Sequence, residues 1–294
     1  MRKKYVIIKV FKMDERGVKL YQPDAQIKKG WLSLWRQMFS ELIGSRELIW
    51  RLFVRDFLAK YKQAVFGVAW ALIMPLVMVG VFVFLNRAGV INIGTTDIPY
   101  PAFALLGLSI WQVFATGLTA CSNSIVAGGS MVVKINFAKE SLVIASLAQA
   151  LFDFLVRIGL LVVVFVILRV VPAWTTLLVP FALIPLLLFT LGLGLILSLL
   201  TALMRDIPHI VTLLTTFLLF LTPVLYPVPQ GKLFAILNRY NPLSTLIIEI
   251  RNLVIVGRIT EPLRFMIISL FCLFLFLVCW RIFHLVEPRM AERV

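Results

Sequence analysis

Two ionisable residues, Asp153 and Arg157, stand inside an otherwise apolar run from Ser141 to Leu168. Four positions apart, they share one face of a helix, and charge at membrane depth marks a functional site unless a partner explains it. Two readings fit: an internal salt bridge that packs this helix on its neighbours, or a functional site. Proton coupling fits poorly, since no relay of further buried acids accompanies the pair. Other chemistry is sparse. No G-x-x-x-x-G-K-[ST] phosphate loop occurs, so ATP hydrolysis by this chain is not expected. Gly128-Gly129-Ser130 is not a G-x-S-x-G elbow, and no His stands near it in sequence. His209 and His284 lie far apart without an acidic metal motif; His209 reads as a polar residue at the entrance of a span. Cys121, Cys272 and Cys279 sit in apolar runs without metal-ligand spacing and read as small hydrophobes. No catalytic, cofactor or metal site is expected, and the chain does not read as an enzyme.

The elements that would hold these residues are membrane helices. Of 294 residues 61% are hydrophobic and only 15% charged, with mean hydropathy +0.98, which excludes a soluble globular domain, a disordered tail and a disulfide scaffold. A span needs about 20 apolar residues, and six long apolar stretches occur. They are Gln63–Asn86, Asp97–Lys134 with its 36-residue charge-free interior, Ser141–Leu168, Val170–Met204, Ile207–Gly231, and Phe265–Trp280 with its flanks. Lipid forbids unpaired backbone and no strand-period alternation appears, so these are helices.

Charge sets their orientation. Of the 29 Lys and Arg, 15 fall in the first 62 residues, a juxtamembrane block suited to a cytoplasmic flank facing anionic lipid rather than to nucleic acid. No cleavable signal peptide is visible, so the first span is expected to act as its own insertion signal. Six spans return the C-terminus, with Arg281, Arg289 and Arg293, to the cytoplasmic side. The segment Pro223–Pro262 breaks the positive-inside rule with Lys232, Arg239, Arg251 and Arg258. It is rich in Pro and Gly and encloses Leu243–Val256, too short to span. It is either a surface helix of the outer leaflet or a re-entrant, half-buried helix gating the outer mouth of a path.

Upstream, Trp31, Leu34, Trp35, Met38, Phe39 and Leu42 recur at helical spacing opposite Ser33, Arg36, Gln37, Ser40 and Glu41. This predicts an amphipathic helix lying in the membrane interface. Tyr5–Phe11 and Val18–Tyr21 flank a polar turn, as a small hairpin or a mobile segment. The expected organisation is an N-terminal cytoplasmic extension (1–30), amphipathic interface and coupling helices (31–62), a six-span domain (63–285) with a re-entrant segment at about 223–260, and a cytoplasmic tail (286–294).

Arg46 to Gln63 continues as a charged helix into the first span. Its Arg55-Asp56 and Tyr61-Lys62-Gln63, followed by Gly67, Trp70 and Pro75, resemble the membrane subunits of ABC-2-type exporters of O-antigen, capsular or teichoic-acid polysaccharide. Phe66 replaces a more usual Leu. Four more matches follow in order: Val133–Glu140, with Ala138 where Pro is commoner; Arg205-Asp206-Ile207-Pro208-His209; Thr222-Pro223-Val224-Leu225-Tyr226-Pro227; and Asn241-Pro242. The resemblance spans about residues 31–285.

The resemblance implies a homodimer of this chain with two copies of a separate ABC ATPase subunit, which binds ATP and Mg. It places the protein in a bacterial inner membrane with both termini cytoplasmic, as part of O-antigen export and lipopolysaccharide biosynthesis. The substrate would be a lipid-linked polysaccharide. ATPase coupling is expected at Arg55, Asp56, Lys60, Tyr61, Lys134, Phe137, Lys139 and Glu140, because domain closure reaches a membrane path through rigid elements ending at its surface. Ordinary positive-inside flanking charge is the other reading of these residues. Sugar chains slide over aromatic faces and short polar groups. Trp70, Phe82, Phe84, Phe103, Trp111, Phe114, Ser122, Asn123, Tyr226 and Tyr240 are therefore expected along the path, each with helix packing or a lipid-facing belt as its alternative. Two other functions remain open: an ABC-2 exporter of a drug or small lipid, and a membrane-embedded glycosyl or acyl transferase. The transferase predicts paired acids or a catalytic His at one membrane face, and neither is found.

Overall fold

A computed structural model describes residues 31–62, 66–90, 94–135, 137–227 and 232–290. The extension 1–30, with its possible hairpin, lies outside these. Twelve helices account for the described chain, with no strand among the described residues. In order they are α1 (Trp31–Gly44), α2 (Arg46–Tyr61), α3 (Trp70–Arg87), α4 (Tyr100–Gly128), α5 (Ser130–Lys134), α6 (Glu140–Ile167), α7 (Val179–Ala182), α8 (Ile184–Leu203), α9 (Ile207–Leu221), α10 (Lys232–Tyr240), α11 (Pro242–Ile255) and α12 (Pro262–Met290). Five helical stretches are long and apolar enough to cross a membrane: Gly67–Arg87, Tyr100–Gly128, Glu140–Ile167, Trp174–Leu203 and Pro262–Glu287. α9 is apolar but only 15 residues long, about 22 Å at 1.5 Å per residue.

Helix boundaries follow local chemistry. Proline occupies the first turn of α4, α8, α9 and α11, where its missing N–H costs nothing. Asn241 caps α11, its Oδ1 accepting from Leu243 N–H at 3.0 Å. The last helix continues to Met290, and its last turns carry Glu287, which meets Lys139.

α4 is the axis of the bundle, contacted by α3, α6, α8, α9 and α11. Its most apolar window is 78% buried, against 11% for α3 and for α12, so the latter two lie at the periphery. Small residues let the backbones close up, as they do where lipid removes the hydrophobic drive. A Cβ on Gly194 would lie 2.5 Å from the Cβ of Cys121, and one on Gly107 would lie 2.3 Å from the carbonyl oxygen of Val224. Cys121 and Cys272 are buried and Cys279 half-buried, all as free thiols.

The bundle has two distinct ends. At one, the start of α6 meets the last turns of α12, and Trp280 packs edge-on against Trp35 (5.9 Å) and Phe39 (4.9 Å) of α1. The apolar stripe of α1 is thus partly covered by the chain's own last helix. At the other end lie α11, the start of α12 and the turn Thr175–Thr176, whose Thr175 hydroxyl donates to Leu253 O at 2.6 Å. α9 runs from the first end to the second, where the turn after it packs on Gly107 of α4. α11 is no surface helix: Leu243, Leu246, Ile247 and Ile250 lie in the main core.

Candidate functional site

Asp153 and Arg157 are both buried, each with 3% of its surface exposed, but they do not form the internal bridge expected from their spacing. Asp153 instead binds the end of α2. Its Oδ2 lies 2.7 Å from Lys60 Nζ, and its Oδ1 accepts from the Tyr61 hydroxyl. Burial first, and then the hydrogen bond to Asp153, hold the Tyr61 phenol above its ordinary range, so it stays a donor. Arg157 reaches the start of α3, its Nε donating to Ala71 O at 3.4 Å. Both side chains face the α2–α3 junction, so one carboxylate and one guanidinium on α6 pin the two sides of that joint. Rings extend the contact: Phe57 meets Phe152 edge-on at 4.7 Å, and Phe53 lies 6.3 Å from Phe152.

The rest of α2 presents a free face. Arg55 is exposed and pairs with its neighbour Asp56 at 2.7 Å. Glu47 and Arg51 form an exposed i,i+4 pair at 2.6 Å, and Trp50 and Leu58 are exposed beside them. Charged pairs alternating with bare apolar side chains are what a protein partner covers.

Lys139 and Glu140 do not share that exposure. Both are buried. The Lys139 backbone N–H donates to Glu287 Oε1 at 3.2 Å, with its ammonium 3.6 Å away, and Glu140 Oε1 lies 3.0 Å from His284 Nδ1. These four residues fasten the start of α6 to the end of α12, so the expected contact surface at 139–140 is an internal clamp. Glu140, His284 and Glu287 bring three possible metal-ligating atoms within 4.8 Å of one another. The Lys139 ammonium beside Glu287 supplies the positive charge that a cation would bring. Phe137 is half-buried against the core beneath α1 and α2. Lys134 ends α5, and its side chain lies outside the described residues.

The aromatic path residues divide. Phe103, Trp111 and Phe114 are buried in the core of the single chain, and Ser122 is buried too. Phe114 stacks on Phe189 (5.9 Å) and contacts Trp111 (5.4 Å), and Phe103 lies beneath the Arg251 guanidinium at 3.9 Å. Their rings serve packing, so they open onto no surface of this chain. Phe82 is half-buried against the same core. Trp70, Phe84 and Tyr240 are exposed. Tyr226 is half-buried, its hydroxyl donating to Phe220 O.

α4 keeps one partly open face. Its polar positions Gln112, Thr116, Thr119 and Asn123 are half-buried or exposed, beside Ala115, Ala120, Val126 and Ala127, and at 3.6 residues per turn the four polar positions fall within a sector about 60° wide. α9 exposes His209, Thr212 and Thr216 among the exposed apolar side chains of Ile210, Leu213, Leu214, Phe217 and Phe220. The threonines donate back to their own helices: Thr119 to Ala115 O at 2.9 Å, Thr212 to Pro208 O at 2.9 Å and Thr216 to Thr212 O at 2.8 Å, with Thr116 bonded likewise to Gln112 O. An amide such as Gln112 facing hydrocarbon would lose its hydration uncompensated. A watered or partner-lined path satisfies it. Asn123 alone of these was expected; the i, i+4, i+7, i+11 spacing of 112, 116, 119 and 123 was the overlooked signal.

A bundle of apolar helices around one buried axis, five of its stretches long enough to span, is a multi-pass membrane domain in form. The protein-family model for the ABC-2 type transporter matches residues 47–255, and the chain belongs to that family. Among curated relatives, an "O-antigen export system permease protein RfbA" from Klebsiella pneumoniae is 27% identical over 244 residues, covering 81% of this chain and 91% of that protein. A protein of the same name from Myxococcus xanthus is 29% identical over 195 residues, covering 65% and 72%. The chain is thus a multi-pass membrane protein of the ABC-2 transporter family.

Proposed function

We propose that this chain is the permease half of an exporter that carries a lipid-linked, O-antigen-like polysaccharide across the bacterial inner membrane, driven by a separate ATPase. The working unit is two copies of this chain with two copies of the ATPase, which supplies the ATP and Mg site. In this reading α9 is a short fifth span and the chain crosses six times. Its two termini then share the cytoplasmic side, in keeping with the meeting of α1 and the end of α12. α10 and α11 form the re-entrant segment at the outer mouth. The ATPase docks on the free face of α2 around Arg55 and Asp56, and the Asp153–Arg157 joint carries its movement into the bundle.

The observation that carries the substrate class is the run of polar positions Gln112, Thr116, Thr119 and Asn123 along one sector of α4. A drug or small-lipid exporter calls for an apolar or amphipathic lining; a hydrated glycan calls for short polar groups. In the dimer, Trp70 and Phe84 of α3 join this run along the path. The names of the relatives point the same way. Deleting the gene from its native strain should leave lipid-linked polymer inside the cell and strip polymer from the surface. A deletion strain with normal surface polymer refutes the substrate class.

A further inference from the structure

At the α11 end of the bundle a polar cleft of about 200 Å³ opens between α10, α11 and the start of α12, lined chiefly by Asn238, Thr245, Glu249, Asn252, Glu261 and Arg264. Its frame is built from hydrogen bonds. Glu249 accepts from the Thr260 and Glu261 N–H groups at 2.6 and 3.1 Å, fixing the loop that starts α12. Arg264 donates to Asn238 O and Arg239 O at 3.0 and 2.7 Å, and Asn252 donates to Thr260 Oγ1 at 2.8 Å. Two buried groups are left over. Asn238 accepts from Ser244 through its Oδ1 at 2.8 Å, yet its Nδ2 has no partner among the described residues, and neither has Thr245 Oγ1. Both residues are at least 95% buried. Leaving such groups unpaired costs about 1–3 kcal/mol each, so they mark a place that something polar fills.

We propose that this cleft is a subsite for one neutral sugar residue of a glycan, and the assignment rests on the permease reading above. At about 30 Å³ per water the cleft holds roughly six waters, the space of one sugar ring. Its charges cancel, Arg239 and Arg264 against Glu249 and Glu261, which disfavours an anion such as phosphate. The unpaired amide donor and the unpaired hydroxyl belong to two residues that line the same cleft, and together they complement sugar hydroxyls, which both donate and accept. The cleft lies at the opposite end of α12 from the clamp at Lys139 and Glu140, so in the proposed orientation it meets the glycan as it emerges.

The test is saturation-transfer NMR on the full-length protein in lipid nanodiscs, with methyl glycosides of glucose, galactose, mannose and rhamnose as probes and inorganic phosphate as competitor. At least one glycoside should receive saturation. The signal should fall about five-fold in Thr245→Val, which replaces the hydroxyl by a methyl at nearly constant shape, and in Asn238→Asp, which replaces the amide donor by a charged acceptor oxygen. Size-exclusion elution of both variants matching the parent shows that they are folded. No transfer to any glycoside, transfer unchanged in both folded variants, or displacement by phosphate overturns the subsite. The two failures separate: lost surface polymer in the deletion strain without glycoside binding removes the subsite alone, whereas normal surface polymer removes the permease reading.

Discussion

Lys60 and Asp153 are 93 positions apart in sequence and 2.7 Å apart in space. The carboxylate is buried, and the ammonium remains about half in solvent. Removing Lys60 should therefore cost roughly 1 kcal/mol, well short of the ~3–5 kcal/mol for a fully buried pair. Tyr61→Phe removes a neutral donor to a charged acceptor and should cost about 1.5–3 kcal/mol. Thermal unfolding of purified Lys60→Ala and Tyr61→Phe should rank them in that order, and a larger loss for Lys60→Ala would mean that the ammonium is more desolvated than its exposure indicates.

Replacing Arg55 and Asp56 together with Ala removes an exposed pair and should leave folding within about 0.5 kcal/mol of the parent. Export should fall at least ten-fold while the amount of protein in the membrane stays constant. Surface polymer at the parental level would exclude these residues from coupling.

Purified alone, the chain should hydrolyse no ATP, and release of phosphate should appear only when the partner subunit is added. Turnover by the chain itself, at a rate that survives further purification, would contradict the division of labour.

Gly107→Ala places a methyl 2.3 Å from a backbone oxygen of the turn after α9. Backbone cannot swing aside as a side chain can, so overpacking should cost about 1–3 kcal/mol. A lowered melting temperature checks it; unchanged stability would mean that the Val224 turn is loosely seated.

Gln112→Leu combined with Thr116→Val makes two of the four polar positions on the open face of α4 apolar. If that face met lipid, the change would stabilise the protein and spare export. It is expected to leave the protein in the membrane and to reduce surface polymer several-fold, measured in the deletion strain carrying the variant.

How much of this was written in the order of residues differs from part to part. Hydropathy located the long apolar helices because lipid demands length and closed backbone. The amphipathic stripe of α1 was equally plain, although Trp280 as the cover for Trp35 and Phe39 was not. The spacing of Asp153 and Arg157 correctly put them on one face but not in one bond: which charge each meets depends on α2 and α3 folding back on α6, a contact with no local trace. Nor does an aromatic residue carry a label for inside or outside. Phe114 and Phe84 look alike in sequence; one is stacked on Phe189 and the other is exposed. Lys139 and Glu140 were expected at a coupling surface, with flanking charge as the alternative, because their partners Glu287 and His284 come some 145 residues later.

The threonines of α4 and α9 have already given their protons to their own backbones. Such a hydroxyl offers lone pairs only, so at these threonines a passing polyol finds acceptors, with the Gln112 amide as a donor among them. Each contact is one-sided and readily exchanged for the next, and the wall so formed has low friction. It favours no single register of the repeating unit, which suits a conveyor better than a lock.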